Sequence, residues 1–574
     1  MHKRILLREC TVDPAQLPAD LPAVLRRVYA ARGIGDSTLL DNRIERLQTP
    51  DRLGGLTRAL DLLEQAVVEG ERILVVGDFD ADGATSTALT LRALRSMGAA
   101  QVDYLVPNRF DFGYGLTPEI VAVAARQPPD LLITVDNGIS SIAGVAAARE
   151  AGMRVLVTDH HLPGAQLPDA DAIVNPNLPG DGFPSKHLAG VGVAFYVMAA
   201  LRGRLRDRGW FAARRIEEPN LAKLLDLVAL GTVADVVALD HNNRVLVEQG
   251  LRRIRAGRCI PGITALLQIG GRNPTRAVAS DLGFAAGPRL NAAGRLEDMS
   301  LGIECLLTDD LHHAQAIARQ LDQLNRERRE IEADMQHQAL AALTSLHLAE
   351  GALPTGLCVF DAEWHQGVIG ILAARLKERF HRPVIAFARA ADGEIKGSAR
   401  SVPGLHIRDC LEAVASKNPG LIRKFGGHAM AAGLSLAETD LATFMREFDA
   451  EICRHLTLDD LQGVIHSDGV LEPAELSLET ADLLRSAGPW GQNFPEPVFE
   501  GLFEVAAQRV VGERHLKLNL RCARLDAAVD AIAFNQEDLA DLTGAQVRVA
   551  YRLDANEFRG LRSLQLVIEH LERI

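Results

Sequence analysis

The sequence predicts an α/β protein: a parallel-sheet domain, a long connecting helix, a second and smaller α/β domain, and a C-terminal OB-like β-barrel. Three observations carry this. Between Arg72 and about Asp240, apolar strand-like runs alternate with helix-like runs, which implies a mostly parallel sheet with helices on both faces. From residue 309 to 347, apolar residues recur every three or four positions, the period of an amphipathic helix. Near the C-terminus, short runs alternate with period two, as half-exposed antiparallel strands do.

At 574 residues the chain has room for three or four domains of the usual ~150 residues. Hydrophobic residues at 47 % and charged residues at 24 % make an ordinary globular composition. No apolar run reaches the ~18 residues of a membrane span, so no membrane association is expected. The N-terminus, MHKRILLRECTVDP, starts basic, but its apolar core is too short for a signal peptide. Seven scattered cysteines form no CxxC pair, which predicts reduced thiols in the cytoplasm. A net charge of −13 argues against a polycation that coats nucleic acid, though it leaves room for a local basic groove.

The elements follow in order. RILVV (72–76) reads as a buried strand, and ATSTALTLRALRSM (84–97) as the helix after it, with Gly83 at the turn. DLLITVDNG (130–138) and RVLVTDHH (154–161) repeat the design, and LLDLVALGTVADVV (224–237) is a helix-like stretch that brings up Asp235. In the long helix the stripe is Leu311, Ala314, Ile317, Leu321, Leu324, Ile331 and Met335. It breaks at Arg328, which favours an interdomain connector, about 55 Å long, over a dimerising zipper. After EGALPTG a second α/β pattern runs through GLCVFDAEWHQGVIGILAARLKERF and RPVIAFARA to the glycine-rich KGSARS and FGGHAMAAGL. The last region contains HLKLNLRCARL (515–525) and QVRVAYRL (546–553), strands that suit a small barrel of the OB kind. These divisions fall at 1–304, 305–350, 351–460 and 461–574.

Asp78, Asp80 and Asp82 crowd three carboxylates into five positions straight after a strand. Such a group repels itself unless cations or hydrogen bonds hold it. In α/β sheets ligands bind at the carboxyl ends of strands, and hard oxygen donors there suit Mg²⁺ or Mn²⁺. An EF-hand is excluded, because the twelfth position counted from Asp78 is Leu89 rather than glutamate. Asp136, His160, His161 and Asp235 stand at the ends of the other runs. A lone strand-end aspartate is usually a helix N-cap. This many on one edge instead make a site for two divalent cations, ~3.5–4 Å apart. Such a pair clamps a phosphate and activates a water.

DFDADG, VDNG, TDHH and GTVADV, in that order, resemble the motifs of the DHH phosphoesterases. PNRFDFGYGL, GPRLNAAGRL, WHQGVIGI, KGSARS, FGGHAMAAGL and PWGQNFPEPVF extend the likeness over nearly the whole chain, to the bacterial single-strand-specific exonucleases of that family. The resemblance implies a DHH catalytic domain, a DHHA1-like substrate-binding domain over 351–460 and a nucleic-acid-binding barrel. It implies that Asp80, Asp82, Asp136, His160 and Asp235 hold two Mn²⁺ or Mg²⁺, with Asp136 bridging and Asp78 a further ligand. His161 would face the scissile phosphate, and Asp159 would orient the histidines.

The family cleaves from a 5′ end. Arg109 offers a planar fork for a terminal phosphate, and Ser398 and Arg400 in KGSARS offer a second anion cradle. Arg289, Asn291 and Arg295 would hold the downstream backbone, and His428 would approach the nucleotide. In the tail, five basic residues between Arg509 and Arg524 stand against one acid, Glu513. Lys517 and Arg521 alternate there with leucines, which predicts a positive barrel face that tracks phosphates.

The implied activity is metal-dependent 5′→3′ hydrolysis of single-stranded DNA to 5′-mononucleotides, in DNA repair and recombination. Expected partners are single-strand-binding protein and a DNA helicase, and the chain is expected to be a monomer. Two alternatives remain at this point: a smaller-substrate relative, such as an oligoribonuclease or pyrophosphatase, and a non-catalytic replication scaffold of the same fold. The barrel-like tail argues against the first. The complete acid and histidine set argues against the second.

Overall fold

The computed structural model describes residues 3–108, 115–350, 353–390, 393–457, 460–512, 514–522, 528–536, 541–558 and 560–574, with the backbone alone at 345–350 and 558. In the first domain RILVV forms β1 (Arg72–Val76), followed by α1 (Ala81–Ser96) and then β2 (Gln101–Leu105). Next come β3 (Leu131–Val135), β4 (Arg154–Thr158) and the short β5 (Ala172–Val174). All five pair in parallel, in the order β2-β1-β3-β4-β5. β3 is buried at every position, and β1 and β4 at all but their first, so these strands read as unbroken apolar runs rather than alternating ones.

The chain leaves β1 toward β2 on one side and returns to β3 on the other. The switch point therefore lies between β1 and β3, where a doubly wound sheet opens a ligand crevice at its carboxyl edge. Asn137 closes the two strand ends there, donating to the carbonyls of Val76 at 3.1 Å and Val135 at 2.9 Å. Behind the sheet, α1 is buried along most of its length against α2 (Gly190–Asp207) and α3 (Leu225–Ala234).

Helix α4 (Gly287–Leu296) packs on α5 (Leu311–Glu350), the connector, about 60 Å long at ~1.5 Å per residue. It begins later than residue 305, because Ser300–Leu307 is a separate helix. Thr308 leaves that helix extended, and the Asp310 carboxylate accepts from His312 N at 2.8 Å to start the next one. Arg328, where the apolar stripe breaks, is buried: it bonds Glu332 and Asn325, each at 2.6 Å. Glu332 in turn accepts from Arg375 Nε at 2.9 Å, on α6 (Ile369–Phe380) of the second domain. The break is thus a polar fastening between connector and second domain.

That domain is a mixed sheet of β6 (Leu357–Asp361), β7 (Val384–Arg389), β8 (Glu394–Arg400), β9 (Lys424–Gly427) and β10 (Ala431–Ala437), in the order β9-β10-β8-β7-β6. Only β6 and β7 pair in parallel.

The C-terminal region closes a five-stranded barrel, β11 (Phe499–Val511), β12 (His515–Arg521), β13 (Val529–Ala533), β14 (Gln546–Phe558) and β15 (Leu561–Arg573), ordered β11-β12-β13-β15-β14. QVRVAYRL lies in β14, which runs on to Phe558 because it pairs with β15 as a long hairpin. The barrel interior is continuous with the core of the first domain. The PWGQNFPEPVF segment makes the join: Trp490 and Phe494 stack at 5.0 Å, with Arg244 4.4 Å from the Phe494 ring and Arg32 5.2 Å from Trp490. At the same seam Arg4–Leu7 pairs in parallel with Val464–Ser467. No helix among the described residues is long and apolar enough to cross a membrane.

Candidate metal centre

The carboxyl edge of the first sheet gathers seven side chains from four segments. Asp78, Asp80 and Asp82 follow β1, Asp136 follows β3, His160 and His161 follow β4, and Asp235 follows α3. Three groups of donor atoms result, each with all atoms within 4.8 Å of one another: Asp78, Asp80 and Asp136; Asp82, His160 and Asp235; Asp136, His160 and His161. Asp136 belongs to two of them.

His160 Nε2 lies 3.1 Å from Asp136 Oδ1, 3.6 Å from Asp235 Oδ2 and 4.0 Å from Asp82 Oδ2. Yet His160 Nε2 and Asp136 Oδ1 are both buried without a hydrogen bond, since they are misaligned for one. Two such atoms aimed at common space, among acids, fit a cation. Five carboxylates and an imidazole are the donor set that two hard or borderline divalent ions take.

The backbone holds this arrangement under strain. Asp136 has φ 62°, a left-handed conformation that an L-residue adopts at a cost and that aspartate tolerates better than most. Gly190 packs against it so closely that a Cβ there would lie 2.5 Å from the Asp136 Cβ. Asp80 caps α1, accepting from the amides of Asp82 at 2.9 Å and Gly83 at 3.0 Å. Asp82 accepts from the first amides of α2, Gly190 N at 2.6 Å and Val191 N at 3.0 Å. A carboxylate oxygen has a second lone pair, so these bonds orient the acids without using them up.

Electrostatics describe an anionic well. Burial, reinforced by the neighbouring carboxylates, pushes Asp136 and Asp235 well above the usual range, and burial with Asp80 nearby lifts Asp82 to about 7. Burial, with His161 adjacent, lowers His160 to about 4, which keeps it a neutral donor. Burial alone would lower His161 too, but its hydrogen bond to Asp159 and the surrounding acids raise it to about 9. That bond runs from His161 Nδ1 to Asp159 Oδ1 at 2.8 Å, and Asp159 also accepts from the amides of Ile139, His160 and His161.

Matches to known proteins agree with this geometry. The DHH family N-terminal domain matches residues 72–232, the DHHA1 domain 354–453 and the RecJ OB domain 467–570. The single-stranded-DNA-specific exonuclease RecJ of Escherichia coli (strain K12) is 56 % identical over 574 residues, all of both chains. The chain belongs to the RecJ family. The RecJ of Dickeya dadantii is 58 % identical over 567 residues, 98 % of each chain. The structure of RecJ in complex with Mn²⁺ from Thermus thermophilus superimposes with a TM-score of 0.81 at 31 % identity, covering 100 % of this chain and 79 % of that one. Its Mg²⁺ complex gives 0.75 at 30 % identity, covering 100 % and 78 %.

Around this RecJ-family centre the other expected residues divide. His428, on the turn between β9 and β10, brings its ring 6.3 Å from that of His161, so the second domain closes over the site. Burial and the nearby His161 lower its pKa. Ser398 and Arg400 lie on β8, paired with Gly433 and Ala431 of β10. Arg400 Nη1 donates to Ser398 Oγ at 3.2 Å, and both face the first turn of α6 at Gly370. Asn291 accepts from Ala81 N at 2.7 Å and so holds the start of α1, while Arg295 donates to Gly367 O at 2.9 Å and ties the two domains. Arg109 lies outside the described residues.

Two expectations meet a different setting in the fold. Arg289, expected to hold the downstream backbone, is buried, bonded to Asp322 at 2.7 Å and to Ala285 O at 2.7 Å. The tail face is not evenly positive. Lys517 pairs with Asp530 at 2.9 Å, and Arg521 stands opposite Glu504. Counting charges along one strand misses the acids on its neighbours.

Several supporting residues carry no signal of their own in sequence. Asn175 and Asn177 donate to the carbonyls of His161 at 2.8 Å and His160 at 2.6 Å, fixing the histidine turn. Their one trace is the asparagine pair in VNPN, directly after a strand.

Proposed function

We propose that the chain is a metal-dependent exonuclease that degrades single-stranded DNA from its 5′ end to 5′-mononucleotides. The observation that carries this is the juxtaposition of the acid well with His428, Ser398 and Arg400 of the second domain. It brings His428 of the second domain against the cation site, with Ser398 and Arg400 on the strand beside the His428 turn as an anion cradle.

Asp78, Asp80, Asp82, Asp136, His160 and Asp235 would hold two Mn²⁺ or Mg²⁺, which would lower the pKa of a water and neutralise charge on the phosphate. Asp136, the carboxylate common to two donor groups, would bridge them. Asp159 holds the His161 ring through Nδ1, and a protonated ring would donate from Nε2 to a phosphate oxygen as charge builds there. Ser398, Arg400 and, by its residue type, Arg109 hold the terminal 5′-phosphate. The bond that breaks joins phosphorus to the 3′-oxygen of the terminal nucleotide. A 5′-mononucleotide leaves, and the shortened strand carries a new 5′-phosphate, ready for the same cradle.

On this reading 1–304 is catalytic, 305–350 connects, 351–460 binds substrate and 461–574 guides the strand. The protein acts as a monomer in the cytoplasm, in repair and recombination, on strands exposed by a helicase and coated by single-strand-binding protein. The test compares a long 5′-phosphorylated single strand, a dinucleotide and pyrophosphate, each with Mn²⁺ or Mg²⁺. Preference for the long strand is expected. Preference for either small substrate would replace this reading with a small-substrate phosphodiesterase or pyrophosphatase.

A further inference from the structure

A cleft of about 530 Å³ opens where the first domain, α5, α6 and the barrel meet. Asn291, which also holds the start of α1, forms its wall on the metal side. Arg514 and Asn535 line it on the barrel side. It therefore lies between the acid well and the barrel, on the path of a strand that spans both.

Phe284 lines this cleft and is 74 % exposed. The backbone that carries it is irregular. Pro288, four residues on, has no amide to bond the Phe284 carbonyl, as an α-helix requires. The chain instead widens into a π-helical turn over Leu282–Ala286, a form that recurs at functional sites. Scattered exposed apolar residues are ordinary on protein surfaces. This one stands in a cleft lined by Arg295, Arg328, Arg329, Arg375 and Arg514, where the only acid among the described residues is Glu332. Glu332 is already engaged by Arg328 and Arg375. A protein partner presenting an apolar face would have to bury those cations. A single-stranded nucleic acid satisfies both features, with phosphates toward Arg329 and Arg514, since Glu332 holds Arg328 and Arg375 and the Gly367 carbonyl holds Arg295, and with a base against the ring.

We propose that Phe284 is a base-stacking platform that sets the register of the strand between the metal centre and the barrel. The inference rests on the single-strand reading above and adds a residue that grips a base rather than a phosphate. Stacking on an aromatic ring tolerates every base, so it adds grip without sequence preference.

The test measures binding of 5′-phosphorylated strands in chelator, each carrying one abasic site at a successive position. For the wild-type protein, one or two positions should weaken binding about tenfold, the scale of one lost stack. Phe284→Ala should weaken binding of the intact strand by a similar factor and abolish the dependence on abasic position. Phe284→Trp should restore both and show quenched tryptophan emission on binding, whereas Phe284→Leu should not restore them. The ring is solvent-exposed, so the fold should withstand all three changes. An alanine variant with wild-type affinity, or with the positional pattern intact, overturns the proposal. Failure of the wild-type protein to hydrolyse the intact strand with Mn²⁺ is a separate result and sinks the exonuclease reading instead.

Discussion

His160 Nε2 and Asp136 Oδ1 sit 3.1 Å apart, buried, and make no hydrogen bond to each other or to any other described residue. Buried polar atoms are nearly always satisfied, so the pair marks where a cation belongs. Asp136→Asn removes the charge while keeping a residue that tolerates φ 62°. Hydrolysis should fall by at least ~10³-fold, the several kcal/mol that metals supply. Bound metal, measured by calorimetry, should fall with it. Near-normal turnover at unchanged metal content would remove Asp136 from the bridging role.

The metal should also couple stability to pH. Burial and the nearby Asp80 lift Asp82 from 3.8 to about 7 in the metal-free fold, and burial with the neighbouring acids raises Asp136 and Asp235 the same way. Raised folded values favour the protonated form, so the stability they contribute is full below 3.8 and lost as pH rises through about 7. Cations bind the ionised form and offset that loss. The rise in Tm on adding Mn²⁺ should therefore grow from pH 5 to pH 8. An increment independent of pH over that range would contradict the coupling.

Arg289 should behave as a structural residue. Removing it takes two buried hydrogen bonds from Asp322 and the Ala285 carbonyl, while Arg326 still pairs with Asp322, so the cost should be about 1–3 kcal/mol. Chemical denaturation of Arg289→Ala should show that loss. DNA affinity per folded molecule should stay near wild type, and a specific affinity defect in a fully stable variant would restore the DNA-contact role.

Neutralising Lys517 and Arg521 together tests the barrel face. Two phosphate contacts would change the salt slope of single-strand binding by about 1.4, at roughly 0.7 each. Because Lys517 is paired with Asp530 and Arg521 faces Glu504, a smaller change is expected. A full change of slope would show that DNA displaces both acids.

The strand ends were legible in the sequence because a doubly wound sheet places them by rule. An apolar run followed by acids puts Asp78, Asp136 and His160 on one edge whatever the loops do. The long helix and the period-two barrel strands were legible through their periodicity. The ion pairs of Arg289 and Lys517 were not legible, because each partner, Asp322 and Asp530, sits on a different element, and pairing across elements leaves no trace in spacing. Asn175, Asn177 and the amides of Gly190 and Val191 were missed for a related reason: they act by hydrogen bonds that only the folded chain brings into range.

The most direct measurement follows a single strand labelled at its 5′ end and, separately, at its 3′ end, incubated with the protein and Mn²⁺. A metal centre joined to a 5′-phosphate cradle predicts that the 5′ label is released at once as a mononucleotide, while the 3′ label stays on a steadily shortening strand. Early release of the 3′ label, or internal cuts that leave both labels on long fragments, would contradict it.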